Sequence, residues 1–154
     1  MSKISQVLEN QNEISLAMIR NQLTSTLPHK KIQSFDGRDV TKFKPFLLNF
    51  QRTIEDICDL DSDKFIYLCQ YTEGRANKIV SSCHHYDPST AYKTAISLLK
   101  EEFGNEFKTT SSYIHKLHNW PPIKTENPSE LEELSIFLLD CHHYFENMSL
   151  VNQL

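Results

Sequence analysis

Apolar residues recur along this chain at intervals of three and four, the spacing that lines one face of an α-helix. Nowhere do they alternate over a sustained stretch, as a half-buried strand would require. Over residues 3–26, Ile4, Val7, Leu8, Ile14, Met18 and Leu23 fall near one stripe of a polar helix. Leu27-Pro28 is expected to end it, because a residue before proline is biased away from helix. Gln11 and Asn21 interrupt a heptad register there, so a coiled-coil arm and a frayed or packed extension are both open. Residues 32–37 read as a short extended piece closed by an Asp-Gly turn. Phe43, Phe46, Leu47, Phe50, Ile54 and Ile57 predict a helix starting at Thr41 or Lys42, with Pro45 in the first turn where its missing N–H costs nothing. Asp61 is expected to cap a third helix bearing Phe65, Ile66, Leu68 and Cys69. Gly74 sets apart a short fourth, with Ala76, Ile79 and Val80. Asp87-Pro88 opens a fifth, carrying Ala91, Ala95, Leu98, Leu99 and Phe103, and Gly104 stops it. A sixth is expected over 109–119 around Tyr113, Ile114 and Leu117, cut by Trp120-Pro121-Pro122. Asn127-Pro128-Ser129-Glu130 combines an N-cap, Pro at N1 and Glu at N3. The last helix then runs through Leu131, Leu134, Phe137, Leu138, Cys141 and Phe145 to Met148. Seven helices make the fold class all-α, with Phe43, Phe46, Phe50, Phe65, Leu68, Ile79, Leu99 and Phe103 as the expected core.

Composition narrows what such a chain can do. Its 154 residues suit one domain or two small lobes. The three glycines, Gly37, Gly74 and Gly104, lie far apart. No Gly-rich phosphate loop, G-x-G-x-x-G turn or G-x-S-x-G elbow can be built from them, which disfavours most nucleotide enzymes. Sixteen Lys and Arg against twenty Asp and Glu give a net charge of −4, too acidic for a chain whose main task is coating phosphate. The imbalance is local: residues 1–124 hold all 16 basic groups and 14 acids, whereas 125–154 hold six acids and no Lys or Arg. A step of this kind can orient head-to-tail packing of copies, and solvated helix faces explain it equally well. The longest apolar run, Ile136 to Leu139, is too short for a membrane span or a signal-peptide core. A cytoplasmic location is therefore expected, with Cys58, Cys69, Cys83 and Cys141 as thiols.

Three clusters invite chemistry. Cys83-His84-His85-Tyr86 and Cys141-His142-His143-Tyr144 repeat a possible zinc-ligand string. Adjacent helical residues diverge by roughly 100°, so such a run does not converge on one ion as C-x-x-C does. The cysteines are expected to pack as small apolar groups and the histidines to face water. Asp59-Leu60-Asp61-Ser62-Asp63 begins like a calcium loop but has Lys64 and Gln70 where Gly and Glu are needed. His29, Lys30, Lys31, Arg38, Lys42 and Lys44, interleaved with Phe35 and Phe43, could touch RNA or acidic lipid, but Asp36 and Asp39 dilute the charge and the phenylalanines fit core positions better than stacking platforms. Lys30, Lys31, Lys42 and Lys44 are the candidate RNA contacts. No H-E-x-x-H or D-T/S-G signature occurs. No catalytic residue, metal, cofactor, membrane or small-molecule substrate is expected.

Five strings in order carry a family resemblance: Phe35-Asp36-Gly37; Phe43-x-x-Phe46-x-x-x-Phe50; Lys64-Phe65-x-Tyr67-Leu68; Gly74-x-Ala76-x-x-Ile79; and Tyr92-x-x-Ala95-x-x-x-Leu99-x-x-x-Phe103-Gly104. Together with Leu117-x-x-Trp120-Pro121 they resemble the Gag-like capsid region of Pao/BEL-type LTR retrotransposons, a relative of Ty3/gypsy Gag and of domesticated Gag proteins such as Arc. The resemblance spans residues 32–150. It implies a retrotransposon capsid-like helical bundle: an arm and linker at 1–31, an N-lobe at 32–106, and the first helices of a C-lobe at 107–154. The chain departs from the family by stopping after what would be the second C-lobe helix and by lacking a C-x-x-C-x4-H-x4-C knuckle. The implied function is a structural one, self-assembly into a shell around element RNA. The alternative is a domesticated adaptor that binds a host protein or peptide without forming particles. Phe35 and Arg38 near the start of the N-lobe, and Leu131, Leu134, Leu138 and Tyr144 on the last helix, are the expected contacts between copies.

Overall fold

The computed structural model describes residues 2–26 and 31–151. The expected helix stop at Leu27-Pro28 and the candidate Lys30 lie outside them. The chain divides into two compact units, 1–32 and 33–154. Among the described residues, the first holds one helix, α1 (Ser2–Thr26). The second holds six more, so the fold is all-α: α2 (Phe43–Glu55), α3 (Asp61–Gln70), α4 (Gly74–Ser81), α5 (Pro88–Phe103), α6 (Glu106–His118) and α7 (Pro128–Val151).

The second unit begins extended. The Phe35 N–H donates to the Tyr71 carbonyl at 3.0 Å, and the Phe35 carbonyl accepts from the Glu73 N–H at 2.9 Å. These bonds form an isolated parallel bridge with Thr72 that pins the chain beside the α3–α4 junction. Gly37 follows at φ +87°, a left-handed conformation that side chains rarely adopt. A Cβ at that position would also lie 2.8 Å from the Phe103 ring, so both backbone and packing select glycine.

Asp39 then starts a 3-10 turn, Val40–Lys42, that leads directly into α2. Its Oδ1 accepts from the Thr41 N–H at 3.1 Å and the Thr41 hydroxyl at 2.6 Å. Phe43, Phe46, Leu47, Phe50 and Ile54 turn the buried stripe of α2 inward. α3 packs most extensively on α5, which α4 also lines. The expected Asp61 cap is corrected: Leu60 takes the capping position without a side-chain bond, and Asp61 is the first helical residue. Asp61 instead pairs with Lys64 at 3.5 Å and Lys93 at 3.9 Å. Asp87 does cap α5, accepting from the Thr90 N–H at 3.3 Å with Pro88 just behind. The sixth helix starts earlier than expected, at Glu106, because Asn105 accepts from the Lys108 N–H at 3.2 Å.

The core lies among α2, α3, α4 and α5. Phe50, Leu68, Val80, Ala95, Leu99 and Phe103 are buried, with Phe35, Phe43, Phe46 and Phe65 around them. The Phe35 ring sits 5.5 Å from Phe43, 5.4 Å from Phe46 and 5.1 Å from Phe103 by centroids, joining the extended segment to α2 and to the end of α5. Each fully buried ring stabilises by about 1.5–3 kcal/mol through lost water contact. Ile79, expected in the core, is only half-buried; its neighbour Val80 takes the inward position. Cys83 and Cys141 are buried thiols, and His84, His85, His142 and His143 are exposed.

Candidate functional site

α6 and α7 pack through aromatic rings rather than an aliphatic seam. Tyr113 of α6 lies 4.7 Å from Tyr144 and 6.1 Å from Phe137 of α7, and Trp120 stacks on Phe137 at 5.0 Å. The Tyr113 hydroxyl donates to Asp140 Oδ2 at 3.1 Å. Burial, reinforced by the Asp140 charge, pushes the Tyr113 phenol well above its ordinary value, so it stays a donor. Tyr144 reaches across to the Glu106 carbonyl at 3.3 Å and to the Thr110 hydroxyl at 3.2 Å.

A second contact clasps α6 to the start of α2. Lys116 Nζ lies 2.5 Å from Asp39 Oδ2 and donates to the Thr41 hydroxyl at 3.3 Å. Partial burial raises the Asp39 pKa, but Lys116 and the two Thr41 donors outweigh it and hold the carboxyl below its ordinary range. No local pattern announces this pair, because its partners are distant in sequence.

Beside the surface of α7 that packs on α6 runs a flank of exposed apolar side chains. Leu131 is 56% exposed, Leu138 44% and Phe145 39%, one heptad apart along that flank, while Ile136 and Leu139 are exposed on other faces of the helix. Leu134 is half-buried between the two sides. Leu131, Leu134, Leu138, Cys141, Phe145 and Met148 follow one another at alternating steps of three and four, a heptad seam of which Cys141 is buried and Leu131 and Leu138 are open. Acidic Glu132, Glu133 and Glu146 are exposed on the same helix.

The structure separates the remaining expected contacts. Phe35 is 3% exposed and belongs to the core, so its assignment as a contact between copies is corrected. Tyr144 is half-buried and spends its hydroxyl within the unit. Arg38 is exposed, lining with Gln33, Lys42 and Asn49 a surface groove of about 680 Å³. Its guanidinium lies 3.7 Å from Asp36, whose Oδ1 also accepts the Arg38 N–H at 2.9 Å. Lys42 and Lys44 are exposed on either side of inward-facing Phe43, whereas Lys31 is exposed in the first unit. The described candidate RNA contacts are therefore divided between the two units.

Among the described residues, no three His, Cys, Asp or Glu side chains gather as a metal site, and no helix is long and apolar enough to cross a membrane. No curated protein and no solved structure matches the chain. Residues 35–149, from the bridging phenylalanine through the α6–α7 pair, match the model of a family described as protein of unknown function, DUF1759. The match takes in nearly all of the second unit, and the chain thus belongs to the DUF1759 family, which is found in the Gag and polyprotein regions of retrotransposons.

Proposed function

We propose that this chain is a Gag-like capsid domain of the Pao/BEL type, whose work is to associate with copies of itself. The observation that carries this reading is an open apolar flank of α7: Leu131, Leu138 and Phe145, seven residues apart, are exposed on a helix that Tyr113 and Trp120 fix through Tyr144 and Phe137. Contiguous exposed apolar surface on a soluble unit marks an interaction site. The charge step supports a head-to-tail contact, since the acidic C-terminal segment meets a net-positive remainder when copies follow one another. Shell formation needs only modest pairwise contacts, because many weak interfaces act together. In this reading the enclosed cargo is element RNA, with Lys42 and Lys44 as contacts.

Light scattering and electron microscopy of the whole chain at rising concentration in sulfate test the proposal. Sulfate strengthens apolar burial, so particles or extended oligomers should grow with both variables. Leu131→Glu combined with Leu138→Glu should abolish them while leaving helix content intact. A chain that remains monomeric under all these conditions overturns self-assembly and favours the adaptor reading instead.

A further inference from the structure

From α1 we infer a second self-association element: a parallel, in-register coiled coil with α1 of another copy. This deepens the assembly reading but rests on different residues. The side chains of Ser2 to Leu23 are all exposed, among them Ile4, Val7, Leu8, Ile14 and Met18. A helix that packs on nothing lacks the main source of helical stability, the burial of an apolar face. α1 therefore calls for a partner.

The identity of that partner follows from the register. Ile4, Val7, Gln11, Ile14, Met18 and Asn21 step by alternating three and four, which makes Ile4, Gln11 and Met18 the a positions and Val7, Ile14 and Asn21 the d positions. Two of the six are carboxamides. A carboxamide carries both donors and an acceptor, so it pairs with an identical group across a two-fold axis. An in-register parallel copy places Gln11 against Gln11 and Asn21 against Asn21. An antiparallel copy sets Asn21 against Ile4, leaving a polar group on an apolar one. Polar residues at core positions also fix register at a cost in stability.

Charge and area agree with a second copy. Glu9, Glu13 and Arg20 fall at outer f and c positions, so neither like charges nor a demand for an oppositely charged partner flank the seam. Each aliphatic side chain brings roughly 60–120 Å² of apolar surface to bury. Four such seam residues on each of two helices, Ile4, Val7, Ile14 and Met18, come at most to just under the roughly 1,000 Å² that a specific interface requires. The pair is accordingly a reversible dimer rather than an obligate one.

Sedimentation equilibrium of the whole chain provides the test, with Ile14→Glu in the seam and Leu16→Glu at an outer f position as a matched pair. Both native residues are 56% exposed, so general loss of apolar surface affects them alike. Wild type should reach a two-chain species by about 100 μM. Ile14→Glu should weaken it by about 100-fold or more, since a charge would be buried in the seam, while Leu16→Glu leaves it unchanged. Gln11→Leu should tighten association and loosen its stoichiometry. Equal effects of the two Glu variants, or a wild type that stays monomeric, overturn the α1 pair. Larger assemblies that survive Ile14→Glu but dissolve with Leu131→Glu and Leu138→Glu overturn the α1 pair while sparing the α7 reading. A two-chain species lost only with Ile14→Glu, with no larger particle under any condition, does the reverse.

Discussion

Phe35 and Gly37 show how single residues fix the start of the second unit. Phe35 is held by two backbone bonds beside Thr72 and by three neighbouring phenylalanine rings. Truncating Phe35 to Ala should cost ~3–5 kcal/mol in urea unfolding, the range for emptying a packed aromatic site. A surface residue would lose almost nothing. Gly37→Ala should cost about 1–3 kcal/mol through its left-handed backbone and its approach to Phe103. Asp39 contributes through charge. Its folded pKa is depressed below 3.8, so the stabilisation it provides is fully present above the ordinary carboxylate range and is lost as pH falls through the lowered folded value. Because both partners of the Lys116 pair are partly exposed, removal of Lys116 should cost no more than ~1 kcal/mol. An NMR titration of Asp39 should show its carboxyl moving upward in Lys116→Met; an unmoved value would contradict the clasp.

At the scale of elements, helices were legible wherever their caps are local. Asp87-Pro88 marks the start of α5, and Asn127-Pro128 marks that of α7, where Asn127 Oδ1 accepts from the Ser129 N–H at 3.3 Å. The start of α2 was legible only to within its 3-10 turn, because Asp39 caps that turn rather than the α-helix itself. Phe35 fits the core as its type suggests, but not a contact between copies; a lone aromatic in a polar, extended stretch carries no periodicity, and its burial depends on Thr72 and Phe103, far along the chain. For α7 the apolar seam was visible, but which half is used depends on Tyr113 and Trp120, so Leu138 was placed correctly on an apolar stripe while Tyr144 turned out to be spent on α6. Tyr113→Phe should remove the bond to Asp140 at a cost of about 1 kcal/mol and increase hydrogen exchange in α7. The raised phenol pKa values give an alkaline counterpart. Burial, helped by Glu55 and Asp61, pushes Tyr92 up to about 12, and burial beside Asp140 pushes Tyr113 upward as well. Raised folded values mean that this stabilisation is present below the unfolded tyrosine pKa of about 10 and is lost as pH rises through the folded values. Phenolate absorbance should therefore show late ionisation that Tyr92→Phe and Tyr113→Phe together remove.

For the molecule as a whole, a well-filled aromatic core contrasts with two helices whose apolar residues face water, α1 and α7. Core packing accounts for folding, and the open surfaces are where the proposed contacts between copies would form. Because they lie apart in sequence and in separate units, the proposed pairwise and higher association can be altered independently. The most direct test is sedimentation velocity of the full chain against its Leu131→Glu, Leu138→Glu double variant across a wide concentration range. Wild type should grow into species larger than a dimer while the variant, with unchanged helix content, stops at the dimer. Identical sedimentation of the two proteins at every concentration would contradict association through α7.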